Sequence, residues 1–186
     1  MNYAVIKKFD IANGPGVRVS LFVSGCRHKC KNCFNSEAWD FSYGAPLTDE
    51  TVNEIVTAID KDYIEGFSLL GGEPFEPENQ AGIYKVLKAI KEKCPQKTVW
   101  CYSGFLFEEL LSGTVGDKDL VLKCLQLIDV LVDGKFVEAL KSPSLLFRGS
   151  SNQRIIDVKK SILQGEVIWL TGKWERQMGS GNIYEG

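Results

Sequence analysis

The chain has 186 residues, with 22 Lys and Arg against 24 Asp and Glu, for a formal net charge of -2. That length suits a single domain with a sizeable core. The near-neutral balance gives no reason to expect nucleic-acid or membrane binding, and no apolar run approaches the roughly 20 residues that cross a bilayer. Met1 to Val5 lacks the basic start and apolar stretch of a secretion signal, so a cytoplasmic chain with reduced thiols is expected.

Val17 to Val23 alternates apolar residues and reads as the first long strand, ending in a turn at Gly25. Thr48 to Lys61 reads as a helix: Val52, Ile55, Val56 and Ile59 share a face, Thr48 suits the N-cap, and Asp49 and Glu50 suit the first turn. Phe67 to Leu70 is a short buried strand. Glu78 to Lys93 is a second helix with Ile83, Val86, Leu87 and Ile90 on one stripe, stopped by Cys94-Pro95. Thr98 to Tyr102 reads as a strand, Phe107 to Leu111 and Lys118 to Leu125 as short helices, Leu127 to Val132 as a strand covered on both faces, and Glu166 to Leu170 as a last strand. Strands alternating with helices imply a parallel α/β sheet.

Cys26, Cys30 and Cys33 stand in the run Cys26-Arg27-His28-Lys29-Cys30-Lys31-Asn32-Cys33, directly after the first strand. In a reduced compartment they are not expected to pair as disulfides. Three thiolates at a strand end suit a metal centre with one coordination position left open. The rival is a zinc-binding interaction module that takes His28, the chain's single histidine, as fourth ligand. Its spacing is poor, since one short loop would have to wrap the metal on every side. Cys94, Cys101 and Cys124 are scattered and read as small core residues. The second signal is Gly71-Gly72-Glu73-Pro74 at the end of the 67–70 strand. Two glycines allow close approach of a ligand to the backbone, Glu73 offers a fixed acceptor, and Pro74 stiffens the exit. Such a strand end suits an ammonium group, although a Gly-Gly turn by itself is ordinary.

Taken together, C-x3-C-x2-C and Gly-Gly-Glu-Pro resemble the radical S-adenosylmethionine superfamily. Asn13-Gly14-Pro15-Gly16-Val17-Arg18, Cys33-Phe34-Asn35 and Trp39-Asp40-Phe41 are similar to the glycyl-radical activating enzymes. The stretches Ile128 to Phe136 and Arg148-Gly149-Ser150-Ser151-Asn152-Gln153-Arg154 resemble the activators of anaerobic ribonucleoside-triphosphate reductase. The likeness runs from about residue 3 to 170, leaving 171–186, Gly-rich and polar, as a tail of unassigned role. The chain departs from the family pattern in having Lys31-Asn32 where Pro-Gly is common, and Asn13 where Asp is common.

The resemblance implies a single small domain folded as a partial, open (β/α) barrel. It implies a [4Fe-4S] cluster held by Cys26, Cys30 and Cys33, with S-adenosyl-L-methionine on the fourth iron. Asn32, Phe34, Gly71, Gly72, Glu73, Ser103, Asp133 and Lys135 are the residues expected beside these cofactors, all at C-terminal strand ends. Ser103 and the Asp133-Gly134-Lys135 end otherwise read as common turns. The implied reaction is reductive cleavage of the sulfonium, followed by hydrogen abstraction from a glycine of the reductase. Reducing a sulfonium calls for the low end of the iron–sulfur range, so an external low-potential donor such as flavodoxin is implied. An activator of another glycyl-radical enzyme, such as pyruvate formate-lyase, is the nearest alternative, followed by a radical enzyme acting on a small molecule.

Overall fold

The structure is a computed structural model and describes residues 1–171; the remainder of the expected 171–186 tail lies outside the described residues. In chain order the elements are β1 (Asn2–Asp10), β2 (Arg18–Val23), β3 (Ala45–Pro46), α1 (Asp49–Ile59), β4 (Gly66–Gly71), α2 (Pro77–Lys93), β5 (Thr98–Tyr102), α3 (Phe107–Ser112), α4 (Lys118–Leu127), β6 (Val130–Asp133), β7 (Arg154–Asp157) and α5 (Val158–Gln164). Thr48 caps α1, its hydroxyl accepting from the Thr51 N–H at 3.2 Å. Asp117 caps α4, accepting from Leu120 N–H at 3.0 Å. α2 opens on Pro77, whose fixed φ and missing N–H suit a first turn.

The strands form one sheet in the order β3-β1-β2-β4-β5-β6-β7. β2, β4, β5 and β6 are parallel, as the strand–helix alternation requires. The expectation of a wholly parallel sheet needs correction at both flanks, where β1, β3 and β7 run antiparallel. The turn from β1 to β2 is too short for a crossover, so the strands must lie as a hairpin. Between β6 and β7 the chain doubles back without a crossover helix. The expected strand at 166–170 is reduced to an isolated bridge between Trp169 and Ile156, and Arg154–Asp157 takes the edge position instead.

Period-two alternation divides the sheet's side chains between two environments. On one face Val19, Leu21, Phe67, Leu69, Val99 and Leu131 pack with Ile55, Ile83 and Leu87 from the helices in the main core. Cys94, Cys101 and Cys124 are buried in that core, as expected. On the other face Trp100, Val130, Val132 and Ile155 form a smaller cluster, packed by Tyr102, Phe147 and Leu170. No helix among the described residues is long and apolar enough to cross a membrane.

Arg18 ties the N-terminal ends of the parallel strands together. It is fully buried and donates to Ser68 Oγ (2.7 Å), Phe67 O (2.7 Å), Thr98 O (2.9 Å), Thr98 Oγ1 (3.1 Å) and Pro15 O (3.3 Å), with Trp100 5.8 Å away. Burial lowers its pKa to about 10, which leaves it charged at neutral pH. Arg18→Ala would strip donors from β4, β5 and the 13–17 turn at once. An expected loss of about 3–5 kcal/mol, since each orphaned buried acceptor costs about 1–3, is measurable as a shift in the denaturant midpoint.

Candidate cluster site

The C-terminal ends of β2 and β4 continue in register beyond the sheet. Gly72 N–H donates to Val23 O at 2.7 Å and Glu73 N–H to Gly25 O at 2.8 Å. Asn79, near the start of α2, closes the unit by donating through Nδ2 to Ser24 O and Glu73 O, both at 2.9 Å. The three-cysteine loop departs from this platform. Gly25 makes the departure possible: its φ is +94°, and a side chain there would collide with the Phe41 ring.

The loop is pinned at several points. Arg27 N–H and its guanidinium each reach Glu76 at 2.6 Å, and the guanidinium also pairs with Glu78 and lies 4.4 Å from the Phe41 ring. Lys31 pairs with Glu138 at 3.1 Å, and Asn32 Nδ2 donates to the same carboxylate. Lys29 and Asn32 adopt left-handed backbone, with φ of 47° and 55°. Asn tolerates that region better than most residues, which is how Asn32 replaces the glycine common in similar loops.

All three thiols line one cavity of about 380 Å³, together with Gly71, Gly72, Glu73 and Ser103. Asn32 and Phe34 line it too, Phe34 at the mouth with 84% of its surface exposed. Cys26 is buried, while Cys30 and Cys33 are half-buried, and every thiol is free. Burial pushes the Cys26 thiol up to about 11, and burial also raises Cys30. Binding a metal centre here must therefore displace protons from thiols.

Among the described residues no three His, Cys, Asp or Glu side chains are gathered closely enough to hold one ion. A zinc ion bound at about 2.3 Å per sulfur needs its ligands within about 4 Å of one another. His28, the fourth ligand of the zinc alternative, lines the same cavity but is held by its neighbours. His28 Nε2 lies 3.1 Å from Glu73 Oε2, and the ring packs edge-on to Phe105 at 4.5 Å. Three free thiols share one cavity, and the other three cysteines lie in the main core, so the donor set suits a cluster that leaves one iron open.

Glu73 is 1% exposed, and its carboxylate is fully occupied by protein. Oε1 accepts from Phe75 N–H (2.9 Å) and Ser103 Oγ–H (2.8 Å), and Oε2 accepts from Gly104 N–H (2.6 Å) and faces His28. The adjoining glycines also make a close approach to protein. A Cβ on Gly72 would lie 2.5 Å from Gly25 O and 2.8 Å from Ala38 O, and one on Gly71 would lie 2.5 Å from Val23 N.

Asp133 and Lys135 do not line the cavity, whereas Gly134 between them does. Asp133 is buried in the wall, where its carboxylate accepts from Arg154 and from Phe107 N–H at the start of α3. Lys135 is exposed, and its carbonyl accepts from Asn152 Nδ2 at 2.9 Å. The Arg148–Arg154 run thus braces the β6 exit. Gln153 Nε2 donates to Gly134 O at 2.9 Å, and Gln153 Oε1 accepts from Gly149 N–H at 2.8 Å. Sequence reasoning did not place Tyr102, Phe136 or Phe147 in this cavity, yet all three line it. For Tyr102 the signal was present, because it alternates with Cys101 and so faces away from the helices.

Residues 12–156 match the family described as "4Fe-4S single cluster domain". The anaerobic ribonucleoside-triphosphate reductase-activating protein of Escherichia coli K12 is 42% identical over 155 residues, covering 82% of this chain and 96% of that protein. Its counterpart in Vibrio cholerae is 40% identical over 157 residues, covering 83% and 97%. The counterpart in enterobacteria phage T4 is 39% identical over 155 residues, covering 83% and 93%. Likeness of this degree over nearly the whole of each relative places the chain in the family of anaerobic ribonucleoside-triphosphate reductase-activating proteins.

Proposed function

We propose that this chain is a glycyl-radical activase, a radical S-adenosylmethionine oxidoreductase that acts on an anaerobic ribonucleoside-triphosphate reductase. The observation that carries the reading is the convergence of three free thiols and the Gly71–Glu73 strand end on one cavity. Cys26, Cys30 and Cys33 would hold a [4Fe-4S] cluster, and S-adenosyl-L-methionine would lie against Gly71, Gly72 and Ser103. When bound, the cluster supplies the electron that cleaves the sulfonium and so starts hydrogen abstraction from a glycine of the partner.

The chain's own residues organise that chemistry. Arg27, His28, Lys31 and Asn32 fix the cysteine loop through four different carboxylates, those of Glu76, Glu78, Glu73 and Glu138. Asn32 and Phe34 flank the thiols, and Asp133 acts through Arg154 by holding the wall, with Lys135 at its outer edge. The apolar rings of Phe136 and Phe147 limit water in the cavity. Half-burial of Cys30 and Cys33 leaves the loop near solvent, which suits entry of an electron from an external low-potential donor such as flavodoxin. In the same reading β2, β4, β5 and β6 form the core of a partial, open barrel. Support comes from the packed clusters on both faces of the sheet and from a cavity at the strand C-termini.

Reconstituted anaerobically, the chain is expected to carry about four irons and four sulfides. With S-adenosyl-L-methionine, a strong reductant and the reductase, an organic radical should appear on the reductase. Its paramagnetic resonance doublet would come from the remaining glycine α-hydrogen. Pyruvate formate-lyase in place of the reductase is the control. Activation of the lyase and not the reductase would overturn the assignment.

A further inference from the structure

Among the described residues four buried side-chain polar atoms lack a hydrogen-bond partner: Ser24 Oγ, Asn35 Nδ2, Tyr102 Oη and Arg148 Nε. Tyr102 and Arg148 both line the cavity; Ser24 and Asn35 do not. Leaving a buried polar atom unsatisfied costs about 1–3 kcal/mol, so two such atoms in one cavity point to a ligand that completes them.

Both groups can donate, and the guanidinium can do nothing else. Burial raises the Tyr102 phenol well above its ordinary range, so it keeps its proton. The surrounding fold aims them. Tyr102 ends β5 on the face away from the helices, opposite Val132 in register. Arg148 follows Phe147, whose φ of 58° is rare for an aromatic residue and turns the chain sharply. The rest of the 148–154 run holds that turn. Arg148 Nη1 donates to Gln153 O at 2.7 Å, Gln153 bonds Gly149, Ser150 and Gly134, Asn152 bonds Lys135, and Arg154 bonds Asp133. These polar side chains are spent on protein, while Nε of Arg148 is left for something else.

The place within the cavity narrows the choice of ligand. The thiols lie beyond the C-terminal end of β2, whereas Tyr102 still belongs to the sheet and shares the cavity with Asn13. Asn13 O accepts from Ser68, which pairs in register with Trp100 and so stands deeper in the sheet than Tyr102. The deep end therefore presents donors and aromatic surface. The one carboxylate lining the cavity, Glu73, is already occupied. An acceptor-rich ligand without a cationic side chain fits such a surface. A polypeptide segment centred on glycine has this character, because with no side chain it offers its main-chain carbonyls.

We propose that Tyr102 Oη–H and Arg148 Nε–H are a positioning pair that grips main-chain carbonyls of the partner's glycine-bearing segment, setting which Cα hydrogen faces the reacting centre. The proposal rests on the activase reading above. Neither residue acts on the reacting atoms themselves; both act by holding the substrate.

The test uses anaerobic holoenzyme and a peptide copying the glycine-bearing segment of the reductase. Tyr102→Phe and Arg148→Lys are each expected to weaken peptide binding about tenfold, the scale of one lost charge-assisted or buried hydrogen bond. The yield of glycyl radical per methionine released should fall with it, while the change that S-adenosyl-L-methionine makes in the reduced cluster's resonance spectrum persists. Tyr102→Phe supplies a readout that a structural role would reverse. Removing an unpartnered buried hydroxyl should leave the melting temperature equal or higher, even as peptide binding falls. Peptide affinity within twofold of the parent in both variants overturns the pair, as does loss of the spectral change, which would move both residues to the cofactor side. A parent protein that forms no radical on the reductase overturns the activase reading and the pair with it. A parent that does so, with variants that bind the peptide equally well, overturns the pair alone.

Discussion

Cys30→Ala, purified and reconstituted without oxygen, is expected to retain about a tenth or less of the parent's iron and sulfide and to lose the visible absorbance of the cluster. Cys26→Ala and Cys33→Ala should behave alike, because three thiols on one cavity give no spare ligand. His28 is not expected to substitute, because its Nε2 faces Glu73 and its ring packs edge-on to Phe105, which fix the imidazole in place. Cys94→Ala, Cys101→Ala and Cys124→Ala should keep the cluster. These residues sit in the main core, so their cost appears in stability, of order 1 kcal/mol for a small lost side chain. Iron and sulfide analysis, set beside the denaturant midpoint, separates the two groups. Full iron in Cys30→Ala would sink the ligand assignment.

What the sequence made legible was local. The cysteine array, the Thr48 cap, the 98–102 strand and the stop at Cys94-Pro95 each depend on residues a few positions apart, and each lies where the pattern puts it. The misplaced edge had a different cause. Glu166 to Leu170 has strand character, but a strand needs a partner, and β6 already pairs with the four residues Arg154–Asp157, too short a run to announce themselves. Asp133 and Lys135 show the same limit at the site. Their position at a strand end was legible, whereas the Asp133 carboxylate is turned to Arg154, twenty-one residues on in the chain, and the Lys135 carbonyl to Asn152. Tyr102 and Arg148 are more distant still in sequence and line one cavity only because the 134–153 segment doubles back.

Glu73 offers the sharpest separation between a cofactor contact and a structural hub. A carboxylate kept for the ammonium group of S-adenosyl-L-methionine would have a free oxygen. Here both oxygens are engaged, by groups from three places: His28 in the cysteine loop, Phe75 beyond β4, and Ser103 and Gly104 beyond β5. Glu73→Gln keeps the shape but must turn an NH2 toward a donor. If Nε2 takes the Oε2 position it meets Gly104 N–H, and if it takes Oε1 it meets Phe75 N–H. Either arrangement strands a buried donor and costs about 2–3 kcal/mol. Glu73→Ala strands all of them and should cost more. Because Glu73→Ala also strands His28, which belongs to the cysteine loop, its iron content should fall along with stability, and it should fall before any cofactor is added. A purely cofactor-facing Glu73 predicts the opposite pattern: full iron, an unchanged midpoint, and a loss confined to S-adenosyl-L-methionine affinity. Measuring iron, midpoint and affinity on the same anaerobic preparation of Glu73→Ala decides between them, and the occupied carboxylate leads us to expect that the first two move.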